Sequence, residues 1–355
     1  MHTELSWSDI PLLVSCTNSG GLVLLYRGDS MVLDRRDHTG LEWQDGHMVR
    51  ATITPPHCYL EWRGEDQTLQ CLTLGEGVDD IHDVLWYGGD LYVVSTSRNE
   101  ILRFAADGRL QERLQFPGEG DAWHLNCLSR WNGSLVASAF GEFSSHRGYV
   151  GQTREAGFVF DVRSGEKLWC GLSQPHSPLQ DGETLYVCDS ENRRVLWRRG
   201  HEEGMLEFDS YTRGLAIHGA YLFVGLSQSR NAVSTGQGGK VAVIDRNNYH
   251  RVGTLSLPFR EVYAIVPLQE LEWLSLLSIP IRERDELLTK LRECQDALRY
   301  PRTAEAALER LQRHPVIGRL IRVWRWIKRD PSFGRVVDSG EEVNVTAEGK
   351  ASQSS

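Results

Sequence analysis

Apolar and polar residues alternate with a period of two over most of the first 268 residues, and tight turns divide this pattern into short segments. Four segments repeat the order strand, turn, strand, polar loop, and they cover residues 81–104, 125–143, 176–199 and 213–230. Gly and Asn at the turns supply the positive φ of a hairpin. Val, Leu, Tyr and Phe in the second strands suit a buried sheet. The pattern therefore predicts a repeated β unit.

The spacing of these units indicates the architecture. Equivalent positions in the four first strands are occupied by His82, Asn126, His176 and Arg213, which lie 44, 50 and 37 residues apart. Intervals of this length are typical of propeller blades that contain four strands each.

Two fainter units complete the set. One covers residues 41–53, with Thr39 at the equivalent position, and the other is a lone first strand over 260–268, with Glu261 at that position. Residues 12–36 have the pattern of the second to fourth strands of a blade that lacks a first strand. We expect the two segments to close one blade together, because an open propeller would leave exposed sheet edges.

The predicted fold is an all-β, six-bladed β-propeller over residues 10–268, and a seven-bladed propeller or an irregular β-sandwich are the alternatives. From residue 269 a helical pattern rich in Leu, Glu, Arg and Ala predicts an α-helical extension over 269–330. Small and polar residues over 331–355 predict a disordered tail. The basic, amphipathic segment 310–330 is expected to dock on the propeller or a protein partner, or to rest on an anionic membrane.

Composition narrows the classes of function. The net charge of −9 argues against a general nucleic-acid binder, which needs a basic face. The seven cysteines form no C-x-x-C pair, so neither a disulfide framework nor a zinc knuckle is expected. The N-terminus has no secretory signal pattern and no run of 18 apolar residues occurs, so we expect a cytoplasmic protein.

The first strands of the blades line the central channel of a propeller, so their equivalent positions form a ring at one mouth. This predicted ring consists of Thr39, His82, Asn126, His176, Arg213 and Glu261. His124 lies two residues before Asn126 and therefore on the same side of its strand. We expect these side chains to converge on one cavity.

The residue types in the ring predict its chemistry. Imidazoles of His82, His124 and His176 on separate strands would hold one divalent metal ion (zinc, manganese or calcium) with an open coordination position. Arg213 would bind an anionic substrate group, and Glu261 or Tyr263 would move a proton. The same polar groups could instead bond strand ends and trapped water. No nucleotide cofactor is expected.

Loops between second and third strands add polar groups at this mouth. The residues predicted to bind substrate are Asn126 in the ring and, in the loops, Asn99, Asp189, Asn192 and Arg230. Asp189 and Asn192 could equally form a local turn. Two long loops, 141–157 and 227–239, are expected to cover the pocket. Histidines that the pattern places at turns or on outer strands, including His38, are expected at the surface.

Three motifs resemble those of a known bacterial family of predicted propellers: GLSQPHSP over 171–178, RGLAIHGAYLFVGLSQSR over 213–230, and REVYAIVPL over 260–268. The resemblance covers residues 10–268 and implies the propeller fold and the importance of these motifs. That family has no agreed activity, so no reaction follows from it. In architecture alone, the chain is similar to six-bladed propeller enzymes such as the peptide-amidating lyase, whose channel binds zinc through histidines, and the gluconolactonase-like and strictosidine-synthase-like propellers.

Two functions are compatible with the sequence. The first is a metal-assisted lyase, hydrolase or epimerase that acts on a small polar anionic substrate at the channel mouth. The second is a binding or scaffold module without catalysis, which would recognise a peptide or glycan at the mouth and dock a partner through its helical extension.

Overall fold

A computed structural model describes residues 6–44, 47–54, 57–63, 69–74, 78, 80–228 and 238–269. These residues form 24 β-strands in six four-stranded sheets, together with short 3-10 helices at Trp7–Asp9 and Thr96–Arg98. The fold is a six-bladed β-propeller, which confirms the prediction and excludes the two alternatives. Residues 270–330 of the predicted helical extension and the predicted tail at 331–355 lie outside the described residues.

Within the described ranges, no helix is long and apolar enough to cross a membrane.

The first three blades are numbered from the one that contains the N-terminal strands. Blade 1 consists of β24 (Glu261–Pro267), β1 (Leu12–Thr17), β2 (Gly21–Tyr26) and β3 (Asp29–Asp34). Blade 2 consists of β4 (Asp37–Gln44), β5 (His47–Thr54), β6 (His57–Arg63) and β7 (Leu69–Thr73). Blade 3 consists of β8 (Ile81–Tyr87), β9 (Asp90–Ser95), β10 (Glu100–Phe104) and β11 (Leu110–Gln115).

The other three blades follow in chain order. Blade 4 consists of β12 (Leu125–Trp131), β13 (Ser134–Ala139), β14 (Gly157–Asp161) and β15 (Lys167–Leu172). Blade 5 consists of β16 (Pro175–Asp181), β17 (Thr184–Asp189), β18 (Arg194–Arg199) and β19 (Glu202–Glu207). Blade 6 consists of β20 (Tyr211–His218), β21 (Tyr221–Ser227), β22 (Lys240–Asp245) and β23 (Arg251–Ser256).

Blade 1 is assembled from both ends of the propeller, as the sequence predicted. Strand β24 pairs antiparallel with β1, with Val14 opposite Ile265 and Leu12 opposite Pro267. All six residues of β1 are buried. Strand β1, which pairs with the closing strand β24 on one side and with β2 on the other, is therefore buried inside the sheet and is not one of its edges.

Apolar side chains hold the blades together. Six clusters of buried hydrophobic residues occur, and each cluster lies between two neighbouring blades around the ring. The first strands contact one another in the order β4, β8, β12, β16, β20, β24 and back to β4. Because every interface has its own apolar cluster, each blade is stabilised from both sides, and the polar channel is left to the first strands.

One interface also contains a buried network of charged groups, between blades 1 and 2. The Arg50 guanidinium, whose side chain is 1% exposed, lies with Nη1 3.0 Å from Asp34 Oδ2 and Nε 2.8 Å from Glu61 Oε2. Arg36 Nη1 lies 2.8 Å from Glu61 Oε1, and His38 Nε2 lies 3.3 Å from Asp34 Oδ2. The expectation that His38 is a surface residue is wrong, because its ring is fully buried in this network.

Candidate functional site

Four of the six predicted ring positions lie at irregularities in the first strand of their blade. The pairing of the first with the second strand skips Thr39, His82, Asn126 and Arg213 in blades 2, 3, 4 and 6. In blade 1 it skips Tyr263 rather than Glu261, and in blade 5 it skips the two residues after His176. A β-bulge leaves the extra residue unpaired and redirects its side chain, so the innermost strands carry unpaired residues without a break in the sheets.

The polar side chains of the ring are buried. Thr39, His82, Asn126, His176, Arg213 and Glu261 are each at most 9% exposed. Buried polar atoms in proteins nearly always have a hydrogen-bond partner. Atoms in this ring that have none are thus informative about what the channel binds.

Arg213 is the most informative member. It is 6% exposed, and its guanidinium carbon lies 3.6 Å from the centre of the Tyr263 ring. Its Nε is buried with no acceptor, and among the described residues no carboxylate or carbonyl pairs with the guanidinium. Burying an unpaired charge costs several kcal/mol (about 3–5) when one partner of a buried pair is missing. A buried guanidinium without a carboxylate partner can bind an anionic ligand.

Tyr263 supports both Arg213 and Asn126. Its hydroxyl donates a 3.3 Å hydrogen bond to Asn126 Oδ1, which leaves the Asn126 Nδ2 group buried without a partner. Burial raises the pKa of the Tyr263 phenol well above its usual value. The phenol therefore remains protonated near neutral pH, and in this form it can donate a proton but cannot accept one.

His82 is held by a carboxylate. Its Nε2 lies 3.1 Å from Asp80 Oδ1. Burial acts to raise the pKa of Asp80, but the interactions of its carboxylate with His82, His124 and Arg213 outweigh burial and lower the pKa to about 2. An ionised Asp80 accepts a hydrogen bond from Nε2–H of His82, and in the neutral form of this imidazole the lone pair lies on Nδ1. That Nδ1 atom is buried and has no partner among the described residues.

His124 is held in the same way by a second carboxylate. Its Nδ1 lies 3.0 and 3.1 Å from the two oxygens of Asp121, and the hydroxyl of Tyr149 donates to Asp121 Oδ2 at 2.7 Å. Burial, together with the nearby charge of His82, lowers the pKa of His124 to about 4 despite Asp121. His124 is thus a neutral imidazole near pH 7, with Nδ1–H on the carboxylate and Nε2 as an acceptor.

The two imidazoles are neighbours. The ring centres of His82 and His124 lie 4.9 Å apart at an interplanar angle of 90°, and the ring centres of His82 and Tyr263 lie 6.0 Å apart. Two histidines, each oriented by its own aspartate, are a typical arrangement for moving protons.

His176 does not join this pair in a metal-binding set. Its Nδ1 lies 2.9 Å from both Gln174 O and Ser190 Oγ, and burial together with the charge of Arg213 lowers its pKa well below the usual value. In the part of the chain that the structure describes, no three His, Cys, Asp or Glu side chains are spaced to hold a metal ion. The donor set therefore does not fit a divalent metal held by His82, His124 and His176.

The other predicted site residues are engaged in the protein. Glu261 Oε2 accepts a 2.7 Å hydrogen bond from Asn18 Nδ2. Asn99 has a left-handed φ of 54° and donates to Pro117 O at 2.8 Å. Asp189 accepts from Asn192 Nδ2 at 2.8 Å as well as from Ser173 N and Arg194 Nε. These contacts shape the loops.

Arg230, the last predicted substrate-binding residue, lies outside the described residues, as does most of the loop 227–239.

Sequence analysis missed the aromatic and acidic support of His124. Tyr149 belongs to the long loop 141–157, is 6% exposed, and its ring centre lies 4.5 Å from that of His124. The Phe140 ring lies 4.3 Å from His124 on the same measure. The available signal was the aspartate close before each histidine, since Asp121 precedes His124 by three residues as Asp80 precedes His82 by two.

Comparisons with known proteins identify a family. A protein-family model described as "Domain of unknown function (DUF4915)" matches residues 69–274. These residues include the first strands of blades 3 to 6 and β24, together with the loop residues Asp80, Asp121, His124 and Tyr149, and so all of the candidate site except Thr39 and the Asn18 partner of Glu261. No curated protein matches the sequence.

Solved structures are similar to this chain in fold. A chain of a nidogen/laminin complex superposes with a TM-score of 0.55 at 12% identity, and the match covers 74% of this chain and 99% of that one. A calcium-binding regucalcin from Agrobacterium tumefaciens gives a TM-score of 0.46 at 14% identity, over 64% and 76% of the two chains. Virginiamycin B lyase from Staphylococcus aureus gives 0.45 at 10% identity, over 72% and 86%. At these identities the likeness concerns the fold alone.

Proposed function

The chain belongs to the family described as a domain of unknown function (DUF4915), and we propose that its channel mouth is the active site of an enzyme that moves a proton on a small anionic substrate. The observation that carries the proposal is the buried guanidinium of Arg213, which has no described partner. An anionic group of the substrate supplies the missing partner, and a planar guanidinium suits an oxyanion with two acceptor oxygens.

The proton is moved by the paired imidazoles. The free nitrogen of His82 or His124 takes a proton from an O–H or C–H group of the bound substrate, or from a water molecule that attacks it, so that one N–H bond forms as that O–H or C–H bond breaks. Asp80 or Asp121 stabilises the imidazolium that results. In an epimerase the other histidine delivers a proton to the opposite face of the same carbon, and in a lyase or a hydrolase the imidazolium returns its proton to the leaving group.

This proposal replaces the metal-assisted version that the sequence suggested. Among the described residues, His82, His124 and His176 are not spaced to hold one metal ion. Acid–base catalysis by His82 and His124 uses the same residues and needs only the geometry described above.

The test combines ligand binding with turnover. Small carboxylates should raise the melting temperature of the protein, because a ligand at ten times its Kd contributes about 1.4 kcal/mol of stability. Arg213→Met should abolish the shift, and Arg109→Met, a change at a side chain that is 71% exposed, is the matched control that should retain it. Untargeted mass spectrometry of a small-molecule extract should show depletion of an anionic compound by the native protein and not by His124→Gln.

The result separates the two candidate functions. Carboxylate binding that depends on Arg213, without depletion of any compound, would contradict an enzyme and favour a binding module. Melting temperatures that respond equally in the native protein and in Arg213→Met would remove the anion site itself.

A further inference from the structure

We infer that the ligand of this mouth is a 2-hydroxycarboxylate, an acid with a hydroxyl group on the carbon next to its carboxylate. The inference rests on the proposed anion site and names the substrate class. It follows from three buried polar atoms that have no described partner and that surround one tyrosine: Arg213 Nε, Asn126 Nδ2 and His82 Nδ1.

Two of these atoms only donate hydrogen bonds. The guanidinium of Arg213 has N–H donors and no acceptor, and the Nδ2 amide group of Asn126 likewise only donates. The Asn126 carbonyl oxygen already accepts from the Tyr263 hydroxyl, which fixes the orientation of the amide. Together these two side chains require a ligand that presents at least two acceptor oxygens, one of them anionic.

The third atom accepts a hydrogen bond when His82 is neutral. His82 Nε2 is bonded to the Asp80 carboxylate and carries a hydrogen, so the neutral imidazole has its lone pair on Nδ1. We assign the donor for this buried lone pair to the ligand, because no described protein group meets it. The ligand must therefore offer a hydroxyl group besides its anionic oxygens.

The spacing keeps the three requirements within one small molecule. All three side chains contact Tyr263: the Arg213 guanidinium carbon lies 3.6 Å from its ring centre, Asn126 Oδ1 lies 3.3 Å from its hydroxyl, and the His82 ring centre lies 6.0 Å from its own. We therefore place the carboxylate at Arg213 and Asn126, and a hydroxyl on its adjacent carbon at His82. A simple carboxylate would leave His82 Nδ1 unmet. Inorganic phosphate has a hydroxyl group too, and it is therefore compared with the hydroxy acids in the test.

Matched acids test this inference on the unmodified protein. L-lactate, D-lactate and propionate form one set, and L-malate, D-malate and succinate form another; within each set only the hydroxyl group differs. Isothermal titration calorimetry should show that one hydroxy acid of each set binds at least about tenfold more tightly than its deoxy counterpart, since a site that bonds a hydroxyl discriminates against its absence. In His82→Phe this preference should fall to less than about twofold, while Arg213→Met should bind none of the acids.

The outcomes distinguish this inference from the proposed function. Equal binding of hydroxy and deoxy acids that still depends on Arg213 would overturn the 2-hydroxycarboxylate and leave the anion site intact. Tighter binding of inorganic phosphate than of either malate would also overturn it. Absence of Arg213-dependent binding by every probe would overturn both the inference and the proposed function.

Discussion

Methionine in place of Arg50 is expected to lower the free energy of unfolding by about 3–5 kcal/mol, whereas methionine in place of Arg213 is expected to leave it unchanged or to raise it. Both arginines are buried, with Arg50 fully so and Arg213 at 6% exposure. They differ in their partners, and the partners decide the sign of the change.

Arg50 compensates two buried carboxylates. Burial acts to raise the pKa of Asp34 and of Glu61, but the hydrogen bonds and charges around them, from His38, Arg50 and Arg36, outweigh it and hold both pKa values below their usual range. Both carboxylates are thus ionised in the folded protein. Removing Arg50 leaves the two carboxylates between blades 1 and 2 with Arg36 and His38 as their described partners, and so with one buried negative charge unbalanced.

Arg213 has no hydrogen-bonded carboxylate to lose among the described residues. Methionine keeps much of its volume, still packs against the Tyr263 ring, and removes a buried charge whose Nε has no acceptor. The change also removes the electrostatic attraction between Arg213 and Asp80, which offsets part of the gain. Residues that bind a ligand often lower the stability of the free protein for this reason. We expect Arg213→Met to lose anion binding along with any gain in the free energy of unfolding.

Urea unfolding of the native protein and of the two variants, in buffer without carboxylates, measures the difference. The expected order of stability is Arg213→Met at or above the native protein, with Arg50→Met well below both. A loss of more than about 2 kcal/mol in Arg213→Met would mean that Arg213 stabilises the fold and would contradict its assignment to a ligand.

Deletion of residues 1–36 is expected to prevent folding altogether. The deletion removes β1, β2 and β3 and leaves β24 as an unpaired strand whose apolar residues, including Val262 and Ile265, belong to the cluster between blades 6 and 1. An exposed apolar edge pairs with other chains. The truncated protein should therefore appear in the insoluble fraction, or in the void volume on size-exclusion chromatography.

Deletion of residues 1–5, which precede the described strands, is the matched control and should leave a soluble protein with a cooperative thermal transition. A soluble protein of monomer size from the 1–36 deletion, with a cooperative transition, would show that the propeller does not depend on closure by its ends.

Sequence reasoning found the blades because one physical pattern recurs in each of them. A hairpin turn with Gly or Asn, followed by a buried second strand, marks every clear unit, and the bulge lies at a nearly constant distance before that turn. This regularity is why spacing alone placed His82, Asn126 and Arg213 on innermost strands, where the structure has them.

The parts that do not repeat could not be found in this way. Tyr149 reaches His124 from a loop with no counterpart in the other blades, so no alignment of units could pair them. His38 appeared to be a surface residue because its burial depends on Asp34 and Arg50 in other strands. Asn99 has the polar character of a ligand contact, yet its left-handed φ shows that it shapes a turn.

Crystal structures of the protein with L-malate and with D-malate at saturating concentration would locate the ligand. We expect a carboxylate of one of them within hydrogen-bond distance of the Arg213 guanidinium and of Asn126 Nδ2, with the malate hydroxyl directed at His82 Nδ1. Malate bound elsewhere, with Arg213 contacting only water or an acceptor of the protein itself, would contradict this expectation.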